Sequence, residues 1–436
     1  MSAEDTTGGG RIMSREAYDV AVVGASIAGC TAATLFAREG ARVALIERHA
    51  DPNAYKALCT HYIQPCAVPT IERLGLAPLI EEAGGIRNGL VMYTRWGWIG
   101  GDAEDLPYGY NIRRQTLDPM LRGLAASTPG VEFMPGRSAR DLIREDGRVA
   151  GVVVRDRAGE SHEIPARLVV AADGRSSRIA KIAGGPVEVA PNNRFAYFAH
   201  YRDLTLPSGS RSQMWMLEPD VAYTFPNDGG VTLAACMPAK ERLPEFKEDL
   251  EGAFVRFFEG LPLGPRLSEA QRVSRIMGVV EQANVSRPAA RPGLAFVGDA
   301  ALCSDPLWGV GCGWAFQSAE WLVDETAEAL LAGGDLDRAL ERYRRRHRRE
   351  LSGHHRLICD FSRVRPYNPV ERLMFSAAAR DNRSARHFHA FGARIIGVRE
   401  FLSPRAVGRA LWVNARHAAR GRAKPGPGPA VARAGR

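Results

Sequence analysis

The chain contains 436 residues, of which 45% are hydrophobic and 25% are charged, and its formal net charge is +9. This profile predicts a soluble globular protein with one large or two interleaved domains. No apolar run reaches the roughly 18 residues of a membrane span, and the polar start lacks the apolar core of a signal peptide. A cytoplasmic location is therefore expected.

The excess positive charge comes from arginine, which is clustered at residues 344–349 and from Arg416 to the end. No aromatic-studded basic strand or recognition helix accompanies it, so we predict a solvated face and a loose tail, with no nucleic-acid partner. The seven cysteines are too few for a disulfide framework in a chain of this length, and their spacing fits no metal site. Free thiols and no metal are predicted.

The first predicted elements form a nucleotide-binding unit. After a disordered leader at residues 1–17, a strand, a helix rich in small residues and a second strand make a βαβ unit at Tyr18–Val23, Ala28–Glu39 and Arg42–Ile46. Aromatic and β-branched residues then alternate between residues 185 and 285, which is typical of an antiparallel sheet.

The remaining elements complete the predicted organisation. A buried strand at Leu294–Val297 precedes a long helix at Gly311–Leu331. Apolar positions at helical spacing predict C-terminal helices at 366–418, and residues 419–436 should form a disordered basic tail. We predict an α/β fold with a Rossmann-like, three-layer nucleotide-binding domain at 18–184 and 286–365, and an inserted antiparallel β-sheet substrate domain at 185–285.

The segment Gly24-Ala25-Ser26-Ile27-Ala28-Gly29 lies between the first predicted strand and helix. Gly24 permits a tight turn, Gly29 lets the helix pack closely on the sheet, and the helix amide groups can bind a pyrophosphate. Ser26 replaces the usual middle glycine, but its hydroxyl can itself bond to an oxygen. Glu47, followed by Arg48, ends the second strand, where an acid accepts hydrogen bonds from an adenosine ribose. These residues predict a dinucleotide site.

Two further motifs follow later strands. Asp173-Gly174 comes after an apolar strand, and its carboxylate can anchor polar ligand groups, although the pair alone also fits a plain β-turn. Gly298-Asp299 leads into Pro306, Gly309, Val310 and Gly311 before the long helix. Asp299 can hydrogen-bond ribityl hydroxyls, and the helix N-terminus can approach a flavin ring. The order and separation of the three motifs predict bound FAD.

Together the motifs resemble the FAD-dependent aromatic hydroxylase superfamily (group A flavin monooxygenases), whose relatives include geranylgeranyl reductases and flavin-dependent halogenases. Arg114 begins a segment similar to the family helix whose arginine reaches the FAD. The chain departs from the family pattern at Ala180, which replaces an arginine, and at Leu302, which replaces a histidine. Lys181, next to Ala180, is similar to the reductase and halogenase branches.

The resemblance also suggests residues around the reaction centre. It implies that residues 56–65 run beside the flavin, so His61 and Tyr62 are candidates for proton transfer or substrate binding, with a structural role equally open. Trp308 either walls the flavin or packs in the core. Six aromatic residues of the inserted sheet are candidates for the cavity, and about half should belong to the opposite face because strand side chains alternate: Phe195, Tyr197, Tyr201, Trp215, Tyr223 and Phe225.

The resemblance implies a monooxygenase that hydroxylates or epoxidises a small apolar or aromatic metabolite, of the kind made in secondary metabolism, through a flavin C4a-hydroperoxide. Electrons would come from NAD(P)H or from a separate flavin reductase. An FAD-dependent reductase of prenyl double bonds is the first alternative, supported by Lys181 and Leu302. A halogenase is the second, although Trp96-Gly97-Trp98 lacks the proline of the halogenase signature. A membrane-surface protein with structural FAD is the third, suggested by the basic amphipathic stretch 394–416.

Overall fold

The computed structural model describes residues 17–100 and 107–421, so the predicted leader and tail lie almost entirely outside the described residues. The first group of elements runs from residue 18 to 183. It comprises β1 (Tyr18–Val23), α1 (Ile27–Arg38), β2 (Val43–Glu47), β3 (Tyr62–Ile63), α2 (Val68–Leu74), α3 (Leu76–Glu82), β4 (Ile86–Asn88), β5 (Leu90–Thr94), β6 (Gly97–Ile99), β7 (Gly109–Asn111), α4 (Arg114–Ser127), β8 (Val131–Pro135), β9 (Ser138–Glu145), β10 (Arg148–Arg155), β11 (Ser161–Ala171) and α5 (Arg178–Ala183).

The second group is mainly β and runs from residue 188 to 286. It comprises β12 (Glu188–Ala190), β13 (Ala196–Arg202), β14 (Ser212–Met216), β15 (Val221–Asn227), β16 (Val231–Met237), α6 (Leu243–Glu248), α7 (Leu250–Glu259), β17 (Gln271–Arg272), β18 (Met277–Val279) and β19 (Asn284–Ser286).

The last group is mainly helical. It comprises β20 (Ala290–Arg291), β21 (Leu294–Phe296), β22 (Leu302–Cys303), α8 (Gly311–Leu331), α9 (Leu336–Phe361), α10 (Pro369–Ala378), α11 (Asn382–Gly392), α12 (Val398–Phe401) and α13 (Pro404–Ala419). No helix within residues 17–100 and 107–421 is long and apolar enough to cross a membrane.

A parallel sheet carries the predicted nucleotide-binding unit. Its strands lie in the order β21-β11-β1-β2-β8, with β20 antiparallel at one edge. In the register of the sheet, Val20 of β1 pairs with Leu168 on one side and with Val43 on the other. β1 and β2 are almost entirely buried, as expected for strands covered on both faces. The predicted βαβ unit and the α/β fold class are confirmed.

A second sheet lies beside the first, with strand order β17-β13-β16-β15-β14-β5-β6. Its central strands are antiparallel, as alternation of aromatic and β-branched residues predicted. The prediction confined this sheet to residues 185–285, but β5 and β6 come from residues 90–99, and β5 pairs in parallel with β14. The sheet therefore joins two distant parts of the chain.

Each face of the second sheet is covered by helices. One face packs against α6 and α7 around Trp215, Phe246 and Phe254. The other face contributes Tyr223 and Phe225 to a core shared with helices α10 to α13. The C-terminal helices thus lie over the same side of the sheet that faces the cavity described below.

Candidate active site

The loop between β1 and α1 has no room for larger side chains. Gly24 has a φ of 106°, and a Cβ atom there would lie 2.5 Å from the carbonyl oxygen of Ala172. A Cβ at Gly29 would lie 1.7 Å from the carbonyl oxygen of Gly24. Ser26 is the N-cap of α1 but makes no side-chain cap bond, and the first turn of the helix contains no acidic residue. The amide groups of this turn therefore remain available for an anion.

Glu47 is held beside this loop by two backbone amides. Its Oε2 accepts from the Ala25 N–H at 2.8 Å, and its Oε1 accepts from the His49 N–H at 2.9 Å. A carboxylate fixed in this way retains lone pairs for hydroxyl donors. Arg48 is exposed, and its Nε bonds to the His49 ring at 3.1 Å.

Arg114 reaches the same loop from the start of α4. The buried guanidinium donates through Nη2 to Ser26 Oγ at 2.5 Å and through Nε to Asp118 Oδ1 at 2.8 Å. Burial opposes the charge of Arg114, but Asp118, Cys59 and Cys312 together raise the pKa of the arginine. The second oxygen of Asp118 accepts from the Lys56 backbone N–H at 3.0 Å. This ion pair ties α4 to both the first loop and segment 56–65.

The Asp173-Gly174 turn contains an oxygen without a partner. Asp173 Oδ2 accepts from the Ile179 N–H at 3.0 Å, whereas its buried Oδ1 accepts no hydrogen bond from the described residues. Gly174 has a φ of 80° and open space where a Cβ would be. A buried acceptor without a donor is costly, so this oxygen fits a ligand hydroxyl or a bound water.

The third motif completes the predicted cofactor site. Gly298 has a φ of 55°, and a Cβ there would lie 3.1 Å from the Cβ of Ala28 in α1. Asp299 pairs with Lys56 at 2.8 Å. α8 begins at Gly311 after the buried Val310, without a side-chain cap or an acid in its first turn. The structure thus brings all three motifs together, with two uncapped helix N-termini of the kind that bind anionic ligands.

These features fit FAD. Its pyrophosphate would lie at the N-terminus of α1, and Glu47 would accept from its ribose hydroxyls. Asp173 and Asp299 would accept from further polar groups of the cofactor. Bound FAD would supply the two-electron redox chemistry.

Two thiols lie beside these residues. Cys59 Sγ is 3.9 Å from Cys312 Sγ on the first turn of α8, and it accepts from the His61 backbone N–H at 3.3 Å. The hydrogen bond from Cys312, with His61 and Arg114, lowers the pKa of Cys59 well below its usual value, while the same pairing raises the pKa of Cys312. All seven cysteines are free thiols, as predicted.

His61 is a buried residue that connects segment 56–65 to the second sheet. Its φ of 64° is rare for a residue with a side chain. Its Nδ1 accepts from the Arg114 N–H at 3.2 Å, and its Nε2 lies within hydrogen-bond distance of Nε2 of His200, at 3.1 Å. Burial, His61 and Arg113 lower the pKa of His200 to about 4. These contacts favour the structural interpretation of His61.

A cavity opens on the other side of this segment, between the second sheet and α11. It contains about 560 Å³ of empty space, part of which is open to solvent. Tyr62 and Trp308 both line it, and Gly309, with a φ of 62°, lies against the Tyr62 ring. The other lining residues are Gln64, Pro65, Leu90, Met92, Pro107, Met214, Tyr223, Phe225, Phe388, His389, Gly392 and Ala393.

Among the described residues, the lining includes no Asp, Glu, Lys or Arg side chain. Burial raises the pKa of both Tyr62 and Tyr223 above the usual tyrosine value. Burial, with Arg211 nearby, lowers the pKa of His389 to about 4. The Tyr223 hydroxyl donates to the carbonyl oxygens of Leu307 and, at 3.2 Å, Pro306. The cavity is therefore suited to a neutral, largely apolar ligand.

The six aromatic candidates divide between the two faces of the second sheet. Tyr223 and Phe225 line the cavity. The other four, Phe195, Tyr197, Tyr201 and Trp215, pack on the opposite face beneath α6 and α7. The sequence could predict that such a division exists but not which residues take which face.

Several contacts of the site carry no sequence signal. Lys56, Cys312 and His200 acquire their contacts only through pairing across more than 100 residues. Met92 enters the cavity because β5 joins the second sheet. Phe388 enters it because α11 covers that sheet.

Comparison with known proteins identifies the family. Residues 17–242 match the family described as FAD binding domain. The chain belongs to this FAD-binding family. Membership confirms the predicted superfamily and FAD as the cofactor, and it makes the chain an FAD-dependent oxidoreductase.

Relatives within the FAD-binding family differ in their reactions. Digeranylgeranylglycerophospholipid reductase 2 of Methanothermobacter thermautotrophicus is 30% identical over 359 residues, which cover 77% of this chain and 84% of that protein. The 6-methylpretetramide 4-monooxygenase of Streptomyces rimosus is 29% identical over 321 residues, which cover 69% and 73%. The flavin-dependent brominase Bmp2 has a TM-score of 0.75 at 18% identity, covering 92% of this chain and 99% of its own. At that identity the likeness shows the fold alone.

Proposed function

We propose that the chain is an FAD-dependent reductase that saturates carbon–carbon double bonds in a neutral, prenyl-like substrate. The observation that carries this proposal is the cavity beside the third motif, whose described lining includes no Asp, Glu, Lys or Arg side chain. A substrate that must ionise would lose its hydration there without gaining a counter-ion. An isolated alkene has no such requirement. The reductase relative acts, by its name, on a lipid with geranylgeranyl chains.

The thiol pair also favours reduction over oxygenation. Cys59, whose pKa is lowered by the hydrogen bond from Cys312, lies in the segment that connects Lys56, the partner of Asp299, to Tyr62 of the cavity. Thiolates are the protein groups most readily oxidised by peroxide-type species. A site that activates oxygen would therefore expose Cys59 to oxidation, whereas a reducing site would not.

The proposed reaction adds two electrons and two protons across the double bond. Reduced FAD, when bound, would supply the hydride equivalent that one carbon receives, and the neighbouring carbon would receive a proton. NAD(P)H or a reduced protein partner would then restore the reduced cofactor. In this scheme Tyr62, Trp308 and Phe225 hold the apolar chain and exclude water from the cavity.

The test uses the FAD-loaded full chain, reduced with dithionite without oxygen and mixed with a geranylgeranyl glycerophospholipid. The proposal expects a product heavier by two hydrogen atoms for each reduced bond, with the cofactor reoxidised in step. Lack of any substrate-dependent reoxidation without oxygen would overturn it. Phe225→Ala alters the cavity wall, so this variant should turn over the substrate more slowly while its FAD content stays unchanged.

A monooxygenase is the second candidate, favoured by the 29% identity to the Streptomyces rimosus enzyme. It would hydroxylate or epoxidise a neutral substrate in the same cavity. The same mixture in air distinguishes the two, because an oxygenase consumes oxygen with substrate and its product gains one oxygen atom. The likeness to a brominase is at the level of the fold and supports neither reaction.

A further inference from the structure

The C-terminal helices carry an exposed surface that is both apolar and basic. We define the C-terminal surface by its exposed apolar residues Ile395, Leu402, Leu411 and Trp412 and by its exposed arginines Arg399, Arg405, Arg416 and Arg420. Leu411 and Trp412 are 57% and 53% exposed, although both are large apolar side chains at the centre of α13. Adjacent large apolar residues that remain exposed, such as Leu411 and Trp412, commonly mark an interaction site.

α13 shows the arrangement most clearly. Its inner face packs Ala410 and Val413 into the core shared with α10, and Asn414 Nδ2 donates to the Leu373 carbonyl oxygen at 3.2 Å. Its outer face presents Leu411 and Trp412 with arginines one turn away on either side. Arg409 and Arg416 lie 5.9 and 5.2 Å from the Trp412 ring centre. Tryptophan, leucine and arginine on one outer face are typical of a helix that lies at a membrane interface.

The charge of this region indicates what can cover it. Residues 380–420 contain nine arginines and two acidic residues, of which Asp381 is already paired with Arg409. Within the described residues, ion pairs are lacking for Arg383, Arg399, Arg405, Arg416 and Arg420. A second copy of the chain would bring the same positive surface against itself. A bilayer with anionic headgroups instead supplies apolar depth and negative charge together.

A recess under α13 leads from this surface towards the active site. It contains about 590 Å³ of empty space, partly open to solvent, with apolar walls that include Met374 and Phe401. Arg383, Arg405 and Arg409 also line it. Phe388 of α11 lines both this recess and the active-site cavity. An amphipathic molecule with an anionic end fits such a recess.

We propose that the C-terminal surface docks the protein on an anionic lipid bilayer, with the outer face of α13 at the level of the headgroups. This inference does not depend on whether the active site reduces or oxygenates its substrate. It gives a physical route for an apolar substrate to reach the cavity from the bilayer, past Phe388.

The test is co-sedimentation of the FAD-loaded full chain with vesicles of phosphatidylcholine alone or of phosphatidylcholine mixed with phosphatidylglycerol. One variant combines Leu411→Ser with Trp412→Ser, and another combines Arg416→Glu with Arg420→Glu. The matched control combines Arg345→Glu with Arg348→Glu on α9, which changes the net charge equally on a different helix. FAD content and circular dichroism verify that each variant is folded.

The expected result is binding of the wild type to the anionic vesicles and much weaker binding to the neutral ones. Each arginine removed near the surface should lower the partition coefficient about fivefold, whereas the α9 control should bind like the wild type. If both surface variants bound anionic vesicles as strongly as the wild type, the proposal would be overturned. It would also be overturned if the α9 control lost as much binding as the surface variants. Self-association that the surface variants abolish, without vesicle binding, would assign the surface to a second copy instead.

Discussion

The carboxylate of Glu47 offers a direct test of the cofactor site. Both of its oxygens accept backbone N–H groups, from Ala25 at 2.8 Å and from His49 at 2.9 Å. Glu47→Gln replaces one oxygen with an NH₂ group, which would then face a backbone N–H that needs an acceptor. The substitution also removes the negative charge from any hydrogen bond to a ribose hydroxyl. Hydrogen bonds to charged groups contribute about 1.5–3 kcal/mol. Loss of one such bond should raise the Kd for FAD about 10- to 150-fold.

The measurement is a titration of FAD-free protein with FAD, followed by quenching of flavin fluorescence. Glu39→Gln is a suitable control, because Glu39 is an exposed residue at the end of α1 whose side chain pairs with Arg73. Its Kd should equal that of the wild type. A Glu47→Gln protein that is folded and binds FAD with the wild-type Kd would refute the assignment of Glu47 to the ribose.

Three further predictions concern stability and reactivity. Asp118→Ala leaves the buried Arg114 without its carboxylate and should lower the free energy of unfolding by about 3–5 kcal/mol, measured by urea denaturation; a loss below about 1 kcal/mol would contradict the paired geometry. Iodoacetamide at neutral pH should alkylate Cys59 before the other thiols, and Cys312→Ala should slow that reaction because it removes the hydrogen bond that lowers the pKa of Cys59; peptide mass mapping checks both, and an unchanged rate would show that the bond has no such effect. The free energy of unfolding should fall as the pH drops from about 6.5 to about 4. Five buried or half-buried histidines have lowered pKa values, so the unfolded chain binds protons there at a higher pH than the folded chain does. His347→Gln should make the slope of the free energy of unfolding against pH shallower by about 1.4 kcal/mol per pH unit. An unchanged slope would contradict the lowered pKa of His347 in the folded protein. The five are His200, His347, His354, His355 and His389.

Local patterns predicted the parts of the site that follow one another in the chain. The turn from Gly24 to Gly29 and the acid at Glu47 lie within one βαβ unit, where strand and helix periodicity determine their positions. The helix at Gly311–Leu331 was predicted at its observed bounds. In such segments spacing in the sequence translates directly into spacing in the fold.

Contacts between distant segments could not be predicted in the same way. Cys59 and Cys312 are 253 positions apart, and nothing in their spacing indicates that their sulfurs meet. The faces of the second sheet were ambiguous for a related reason. Alternation determines that Trp215 and Phe225 occupy some face, but only the placement of α6 and α7 decides which face is covered by helix and which by the cavity.

The parallel pairing of β5 with β14 has a consequence for engineering. Residues 90–94 and 212–216 are adjacent strands of one sheet, and Met92 and Met214 stand in register beside the cavity. A chimera that exchanged only residues 185–285 with a relative would place a foreign β14 against the native β5. The shape of the cavity would then depend on the pairing of two strands that come from different proteins. Substrate range should transfer between relatives only when residues 90–94 and 212–216 are exchanged together.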